Sequence, residues 1–266
     1  MLTELDLEEP VLSEMLKTVH RYTGINMTEK KKNLLQSRLR PRLRELSLTS
    51  YEAYLVYLSA HKEEIETFID RVTTNETFFF RTHRVWDFFL KQFLPDWMAK
   101  HPGETLKLWS AASSSGEEAY SLAICLAQYP DLKFEICASD ISKEILGDAQ
   151  KALYEERSVQ GIQKYRPDWY VKYVTSVGPK WTIQDSIKKQ VKFFQHNLLT
   201  PVNLQNMDII FLRNVMIYFN DQDQKTVLKH MAKALKKDAY LILGESESIS
   251  RFETEFKYVE PLVYKL

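Results

Sequence analysis

Residues 108–124 read LWSAASSSGEEAYSLAI, and three textures follow one another in that stretch. An apolar run ends at Ser110, small residues fill Ala111 to Gly116, and the acidic pair Glu117-Glu118 opens a helix-forming segment. A strand that passes through a small-residue turn into a helix is the opening unit of a parallel α/β sheet. In such sheets ligands lie beyond the carboxyl ends of the strands, and side chains this small let the backbone approach one closely.

The alternation continues outward from this unit. Strand-like runs recur at LKLWSA (106–111), FEICAS (134–139), VKFFQ (191–195), DIIFL (208–212) and AYLILG (239–244). Helical stretches lie between them at about 117–129, 142–153 and 221–236. Apolar strands separated by helices predict a parallel sheet covered on both faces. A last pair in FKYVEPLVYK (256–265) is placed to close it as an antiparallel edge. Residues 165–190 interrupt the pattern, and two β-like runs, WYVKYV and KWTIQ, flank Gly178-Pro179. They predict a small inserted hairpin or β-subdomain at about 165–190.

Upstream, residues 10–70 carry helical periodicity. Val11, Leu12, Met15, Leu16 and Val19 recur on one face until Thr23-Gly24 breaks the pattern. A second helix is expected from about Thr28, with Leu34, Leu35, Leu39 and Leu43 together and Pro41 kinking it or ending it near Arg40. Tyr51, Tyr54, Leu55 and Leu58 mark a third helix, and Ile65, Phe68, Ile69 and Val72 a fourth. The expected organisation is an all-α domain over 1–72 and an α/β domain over 73–266.

The 266 residues are 44% hydrophobic and 12% aromatic, enough to fill a core. Lys+Arg and Asp+Glu are each 36, so no net field draws the chain to nucleic acid or membrane. The start of the chain is acidic (Glu4, Asp6, Glu8, Glu9), unlike a signal peptide, and no apolar run approaches the roughly 20 residues of a membrane helix. A soluble protein is expected. Cys125 and Cys137 lie in the apolar contexts SLAICLA and FEICAS and read as buried free thiols. With no disulfide framework and no histidine at ligand spacing, they fit the cytosol and make no metal site.

Three places carry chemistry. The 111–118 turn lacks GxGxxG, and two carboxylates stand where a pyrophosphate would sit, so a dinucleotide is disfavoured. A ligand with a free ammonium suits those carboxylates, although they also complement the helix dipole, worth about 0.3–1 kcal/mol. Asp140 closes the next strand, placed to accept hydrogen bonds from ribose hydroxyls or to cap the helix near Ser142. In TTNETFFFR (73–81), the Arg81 guanidinium follows three aromatics, a setting that calls for an anionic partner. In FLRNVMIYF (211–219), Arg213, Asn214 and Tyr218 stand at and beyond a strand end, with Val215, Met216 and Ile217 as core.

Taken in order, TTNETFFFR, LWSAASSSGEEAYSLAI and FLRNVMIYF resemble the motifs of the chemotaxis receptor methyltransferases, the CheR family. The resemblance covers nearly the whole chain. It implies a Rossmann-like methyltransferase sheet with an inserted β-subdomain behind an all-α domain. It implies transfer of a methyl group from S-adenosylmethionine to glutamates of methyl-accepting chemoreceptors, leaving S-adenosylhomocysteine. The implied cofactor residues are Asn75, Thr77, Arg81, Glu117, Glu118, Asp140, Asn197, Leu198, Arg213 and Asn214. Glu118 is preferred for the ammonium, Asp140 for the ribose and Asn197 for the adenine side. Arg81 and Tyr218 are implied as catalytic, Arg81 orienting the acceptor carboxylate or the cofactor and Tyr218 giving a hydroxyl hydrogen bond.

The basic run Lys30, Lys31, Lys32, Arg38, Arg40, Arg42 and Arg44 reads as a solvated helix face or as a docking face for acidic receptor helices. The resemblance favours docking, with Arg38 and Arg42 as its residues. Partners expected are receptor cytoplasmic helices, without nucleic acid or membrane insertion, in the cytoplasm. The stretch 175–180 (TSVGPK) is short, with one glycine, where tether-binding relatives carry a longer glycine-rich loop, so no pentapeptide tether is expected. GESES (244–248) stands where many relatives read Gly-His-Ser-Glu, with Glu245 in place of the histidine. Adenine-N6 DNA methyltransferases place [DN]PP[YFW] at the strand end where this chain has RNVM, which argues against a nucleobase acceptor. Two rivals remain open: a same-fold enzyme with another acceptor, and a non-catalytic cofactor-binding protein.

Overall fold

The structure is a computed structural model, and it describes residues 6–266, so Glu4 of the acidic start lies outside the described residues. The chain divides into two compact units, 6–74 with 218–223 and 75–217 with 224–266.

The first unit is helical. Helix α1 (Glu9–Thr23) ends where Gly24, at φ 75°, turns its N–H back onto the His20 carbonyl at 2.7 Å. Only glycine takes that left-handed conformation without strain, which is why the pattern breaks there. Helix α2 (Lys32–Glu45) follows a short 3-10 turn and runs on through Pro41. The expectation that Pro41 would end it near Arg40 is corrected. Leu35 and Leu39 before the proline and Leu43 after it are all fully buried, and this continuous apolar stripe carries the helix across one missing hydrogen bond. Helix α3 (Tyr51–Ala60) is capped by the Ser50 hydroxyl, which accepts from the Ala53 N–H, and helix α4 (Glu64–Val72) follows. Their apolar faces enclose Leu12, Met15, Val19, Tyr54 and Phe68.

Arg42, expected as a docking residue, is engaged by acids of its own unit. Its Nε and Nη2 grip both oxygens of Glu64, at 2.9 and 2.6 Å, and Nη1 meets Glu45 at 2.9 Å. Glu64 is 2% exposed and also accepts from the Tyr54 hydroxyl at 2.9 Å. Arg42 therefore staples α2 to α4. Arg42→Ala is expected to lower stability by somewhat less than the ~3–5 kcal/mol of breaking a fully buried pair, because water reaches the arginine side. Thermal melting checks this; an unchanged Tm would return Arg42 to the surface role.

The second unit begins with α5 (His83–Phe88) and α6 (Leu94–Lys100), joined through a π-helical turn at Phe89–Phe93. Then come β1 (Thr105–Ser110), α7 (Glu117–Leu126), β2 (Lys133–Asp140), α8 (Lys143–Lys151) and the two-residue β3 (Leu153–Tyr154). Helices α9 (Glu156–Tyr165) and α10 (Pro167–Tyr173) lead into β4 (Val174–Val177) and β5 (Lys180–Ile183). Next are α11 (Asp185–Lys188), β6 (Val191–Gln195), β7 (Met207–Leu212), α12 (Asp221–Ala234), β8 (Leu235–Leu243), β9 (Lys257–Glu260) and β10 (Val263–Lys265).

The main sheet has seven strands in the order β6-β2-β1-β7-β8-β10-β9. The first five are parallel, and β10 and β9 close one edge as an antiparallel hairpin. The chain winds outward from β1 in both directions, so β1 and β7 flank the point where the winding reverses. All six residues of β7 are buried, as a central parallel strand requires. A core of Trp86, Leu108, Tyr120, Ile136 and Phe211 fills the space between sheet and helices. Cys125 is buried in that core, while Cys137 is only half-buried.

The insertion is a β-subdomain of three antiparallel strands, ordered β3-β5-β4. One run within it was misread. WYVKYV is helix α10 up to Tyr173, and only Val174 belongs to a strand. Pro167 at the first helical position fixes the turn, and Trp169 and Tyr173, four apart, share a buried face. The subdomain also starts earlier than expected, at Leu153.

Candidate functional site

Four strand ends of the second unit define the site: those of β1, β2, β6 and β7. Gly116, at φ 90°, turns the loop after β1 into α7. A Cβ at this position would lie 3.1 Å from Ala149, Phe193 and Tyr120, so the turn and its packing both select glycine.

Asp140 pins this loop. One carboxylate oxygen accepts the Ser114 N–H at 2.9 Å and the other the Ser142 N–H at 3.1 Å. The α8 cap is Ser142 rather than Asp140, since its hydroxyl accepts from the Ile145 N–H at 3.2 Å. Asp140 therefore orders the loop from the end of β2. Ser114 Oγ donates to the Asn75 carbonyl at 2.9 Å, which brings the start of the TTNETFFFR segment onto the same loop. Beside it, Ser113 is 1% exposed and its hydroxyl has no hydrogen-bond partner. A buried donor left unmade costs about 1–3 kcal/mol.

The two glutamates at the start of α7 separate in role. Glu117 is 3% exposed and accepts from Ser115 Oγ at 2.6 Å and Ser158 Oγ at 2.7 Å. Burial pushes its carboxyl above the usual carboxylate range, partly offset by those serine bonds. One oxygen thus fastens α9 to α7 through Ser158, and the other holds Ser115 in the loop before α7. Glu118 accepts from Ser110 Oγ at 2.7 Å and from Arg213 Nη1 at 2.9 Å. Arg213 is 5% exposed, and its Nη2 donates to the Arg81 carbonyl at 2.8 Å. One ion pair thus joins the ends of β1 and β7 to the Arg81 backbone.

Of the three phenylalanines, Phe79 and Phe80 are core and Phe78 is 41% exposed. Arg81 is half-buried rather than sunk in the cluster. Its Nη1 donates to the Glu76 carbonyl at 3.1 Å, and its guanidinium lies 5.6 Å from the Phe78 ring centroid. Among the described residues no carboxylate forms an ion pair with it. Phe80 and Thr82 take left-handed φ of 54° and 64° around it. Such conformations persist only where their surroundings impose them. The Phe80 N–H is fixed by Ser121 Oγ at 3.1 Å.

After β6, Asn197 Oδ1 accepts the Leu199 N–H at 3.0 Å in a local turn. Leu198 is buried, and its carbonyl accepts from His230 Nδ1 at 2.9 Å. The His196 N–H donates to the Asp140 carbonyl at 2.9 Å, tying this turn to the end of β2.

The turn after β7 hangs on a residue that the sequence reading passed over. Glu247 is 8% exposed and accepts four backbone N–H bonds, from Gly244, Asn214, Val215 and Met216, at 2.6 to 2.8 Å. Burial pushes its carboxyl up and the four amides pull it back. Asn214 is held at φ 58° in this cage, and a Cβ on Gly244 would come within 2.7 Å of its backbone and side-chain nitrogens. GESES carries the signal, since its second acid follows an apolar strand and a glycine.

The second unit therefore brings together Asn75, Arg81, Glu118, Asp140, Asn197, Leu198, Arg213 and Asn214 at or near strand ends. Thr77 lies half-buried in the same segment as Asn75. Arg38 and Tyr218 belong to the first unit. Small residues in the loop after β1 and a carboxylate at the end of β2 are of a kind that suits a nucleoside with free hydroxyls. Glu118 and Arg213, already paired, form a polar floor able to meet both charges of an amino-acid group.

Comparison with known proteins shows the family of the chain. Residues 75–264 match the family model described as CheR methyltransferase, SAM binding domain, and residues 11–73 the one described as CheR methyltransferase, all-alpha domain. The chain is 33% identical to the chemotaxis protein methyltransferase of Borreliella burgdorferi over 98% of its own length and 95% of that protein. It is 31% identical to the chemotaxis protein methyltransferase of Escherichia coli, covering all of this chain and 94% of that one.

Proposed function

Because the chain belongs to the CheR methyltransferase family, we propose that it esterifies glutamate side chains of chemoreceptor cytoplasmic helices. It is a SAM-dependent methyltransferase of chemotaxis. When bound, S-adenosylmethionine supplies a methyl group on a positively charged sulfur. Asp140 would take the ribose hydroxyls, the 111–116 loop would line the nucleoside, Asn197 and Leu198 would stand on the adenine side, and Glu118 with Arg213 and Asn214 would meet the amino-acid group. Asn75 and Thr77 complete the cofactor side, and Glu117 is not part of it.

A glutamate with a reference pKa near 4.3 is already ionised at neutral pH, so no general base is required. The protein's work is alignment and partial exclusion of water. Arg81 orients the acceptor carboxylate, since its guanidinium is half-exposed beside Phe78 and pairs with no acid among the described residues. Tyr218 supplies a hydroxyl to the reacting groups. The observation that carries this reading is the Arg213 bridge, which holds the Arg81 backbone to the cofactor-side strand ends.

The receptor helix meets the basic α2 face through Arg38 and the exposed Lys30, Lys31 and Arg44, with Arg42 acting behind them as a staple. Gly178 and Pro179 alone join β4 to β5, a turn too short to shape a pocket for a receptor tail, so recruitment proceeds without a tether. No helix among the described residues is long and apolar enough to cross a membrane. With its receptor partners on the inner side, the enzyme works in the cytoplasm.

Incubation with methyl-labelled S-adenosylmethionine and receptor cytoplasmic fragments is the direct test. Base-labile label on glutamate is expected, and label that resists mild base would overturn the ester assignment. Asp140→Asn should weaken cofactor binding by about 1.5–3 kcal/mol, the size of a charge-assisted hydrogen bond. Calorimetry giving wild-type affinity in a folded variant would remove Asp140 from the site. Arg81→Ala should cut turnover by roughly 10- to 100-fold through lost positioning, with little change in Tm. Wild-type turnover would make Arg81 structural only.

A further inference from the structure

The segment that carries Tyr218 is built into the helical unit by its own set of polar bonds. The Asn26 N–H donates to the Tyr218 carbonyl at 2.7 Å. Two residues on, Asn220 Nδ2 donates to Asp223 Oδ2 at 2.6 Å, and Asn220 Oδ1 accepts the Asp223 N–H at 2.9 Å. From α1, His20 Nε2 reaches the same Asp223 oxygen at 2.7 Å. The proton assignment follows from chemistry. Asn220 Nδ2 and His20 Nε2 stand 3.2 Å apart, and an amide nitrogen only donates. An ionised carboxylate only accepts, so at the shorter 2.7 Å His20 gives its Nε2–H to Asp223 Oδ2, and the Asn220 amide, also a donor, bonds the carboxylate rather than the imidazole. The acid is well buried, with its side chain 16% exposed, whereas His20 is 42% exposed.

We infer that His20 is a positioning residue for Tyr218, holding its segment through Asp223 and Asn220. The inference rests on the catalytic reading of Tyr218. Its logic is geometric: the segment is fixed at one end by the Asn26 amide and at the other by a charge-assisted bond from a neighbouring helix. A side chain between two such anchors keeps its direction; with one released, the backbone can pivot. None of these residues belongs to the proposed cofactor side, so affinity for S-adenosylmethionine is left untouched.

The test is a set of variants of the full chain, His20→Ala, His20→Gln, Asp223→Asn, Tyr218→Phe and the double variant His20→Ala/Tyr218→Phe. Each is assayed for kcat, for affinity of S-adenosylmethionine and for Tm. His20→Ala and Asp223→Asn should lower kcat about tenfold, less than the roughly 100-fold that a 1 Å misplacement costs, with cofactor affinity unchanged. His20→Gln, which restores an N–H donor, should recover much of the loss. In the Tyr218→Phe background His20→Ala should add nothing, because coupled residues are non-additive. Full additivity, or a loss of cofactor affinity that parallels kcat, overturns the inference. If Tyr218→Phe is slow and His20→Ala is not, only the clamp falls. If Tyr218→Phe turns over at the wild-type rate, the catalytic assignment falls and the clamp with it. Should His20→Ala fail to fold, the comparison of Asp223→Asn with Asp223→Asn/Tyr218→Phe reads the same coupling.

Discussion

Replacing Glu247 by alanine is expected to lower stability by about 4 kcal/mol or more, since it strands four backbone amides that each cost ~1–3 kcal/mol when buried unbonded. The donors are Gly244, Asn214, Val215 and Met216, in the loops after β7 and β8. At about 2–4 °C per kcal/mol for a domain of this size, Tm should fall by roughly 8–16 °C. Glu247→Gln should fall between the two, because its carbonyl accepts while its amide nitrogen faces other donors. Cofactor affinity should drop as well, through Asn214 and its neighbour Arg213. A Tm within a degree or two of wild type for Glu247→Ala would show that water replaces the carboxylate and that the cage is dispensable.

Gly161→Ala should be nearly as damaging for a steric reason. A Cβ at position 161 would stand 1.9 Å from the Phe79 carbonyl oxygen and 2.9 Å from its carbon. Both are backbone atoms and have no rotamer by which to move aside. Helix α9 lies this close because the Phe79 N–H donates to the Ser158 carbonyl at 3.3 Å and Ser158 Oγ donates to Glu117 at 2.7 Å. Overpacking costs about 1–3 kcal/mol, and a contact this short belongs at or above the upper end. The displaced segment leads into Arg81, so turnover should fall further than stability alone explains. If Gly161→Ala melts and turns over as wild type does, α9 slides without cost and the tight packing is incidental.

The sheet was legible because its signal is local. Apolar runs of strand length, separated by amphipathic helices, place five parallel strands without reference to anything distant. Asp140 and the 111–116 loop were legible for the same reason, each standing next to the strand that positions it. What escaped was set by partners far along the chain. Arg42 reads as one of a row of basic residues until Glu64, on another helix, claims it. Glu117 and Glu118 look equivalent until Ser158 takes one and Arg213 the other. WYVKYV carries the aromatic and branched residues of a strand, and tertiary burial of Trp169 with Tyr173 overrides that preference. His20 showed no metal spacing and was passed over, although a histidine needs no metal to hold an acid in place.

The assignment of residues 218–223 to the helical unit bears on the order of folding during synthesis. The N-terminal helices emerge first, yet the Tyr218 carbonyl that meets Asn26 and the acid that meets His20 are made only after most of the second unit. Domains generally form from the N-terminus as the chain is made, and contacts between distant residues come late. The helical unit therefore waits, with an amide and an imidazole unbonded, until the larger unit is nearly complete. A fragment ending at residue 74 would carry every helix of that unit and still be unfinished.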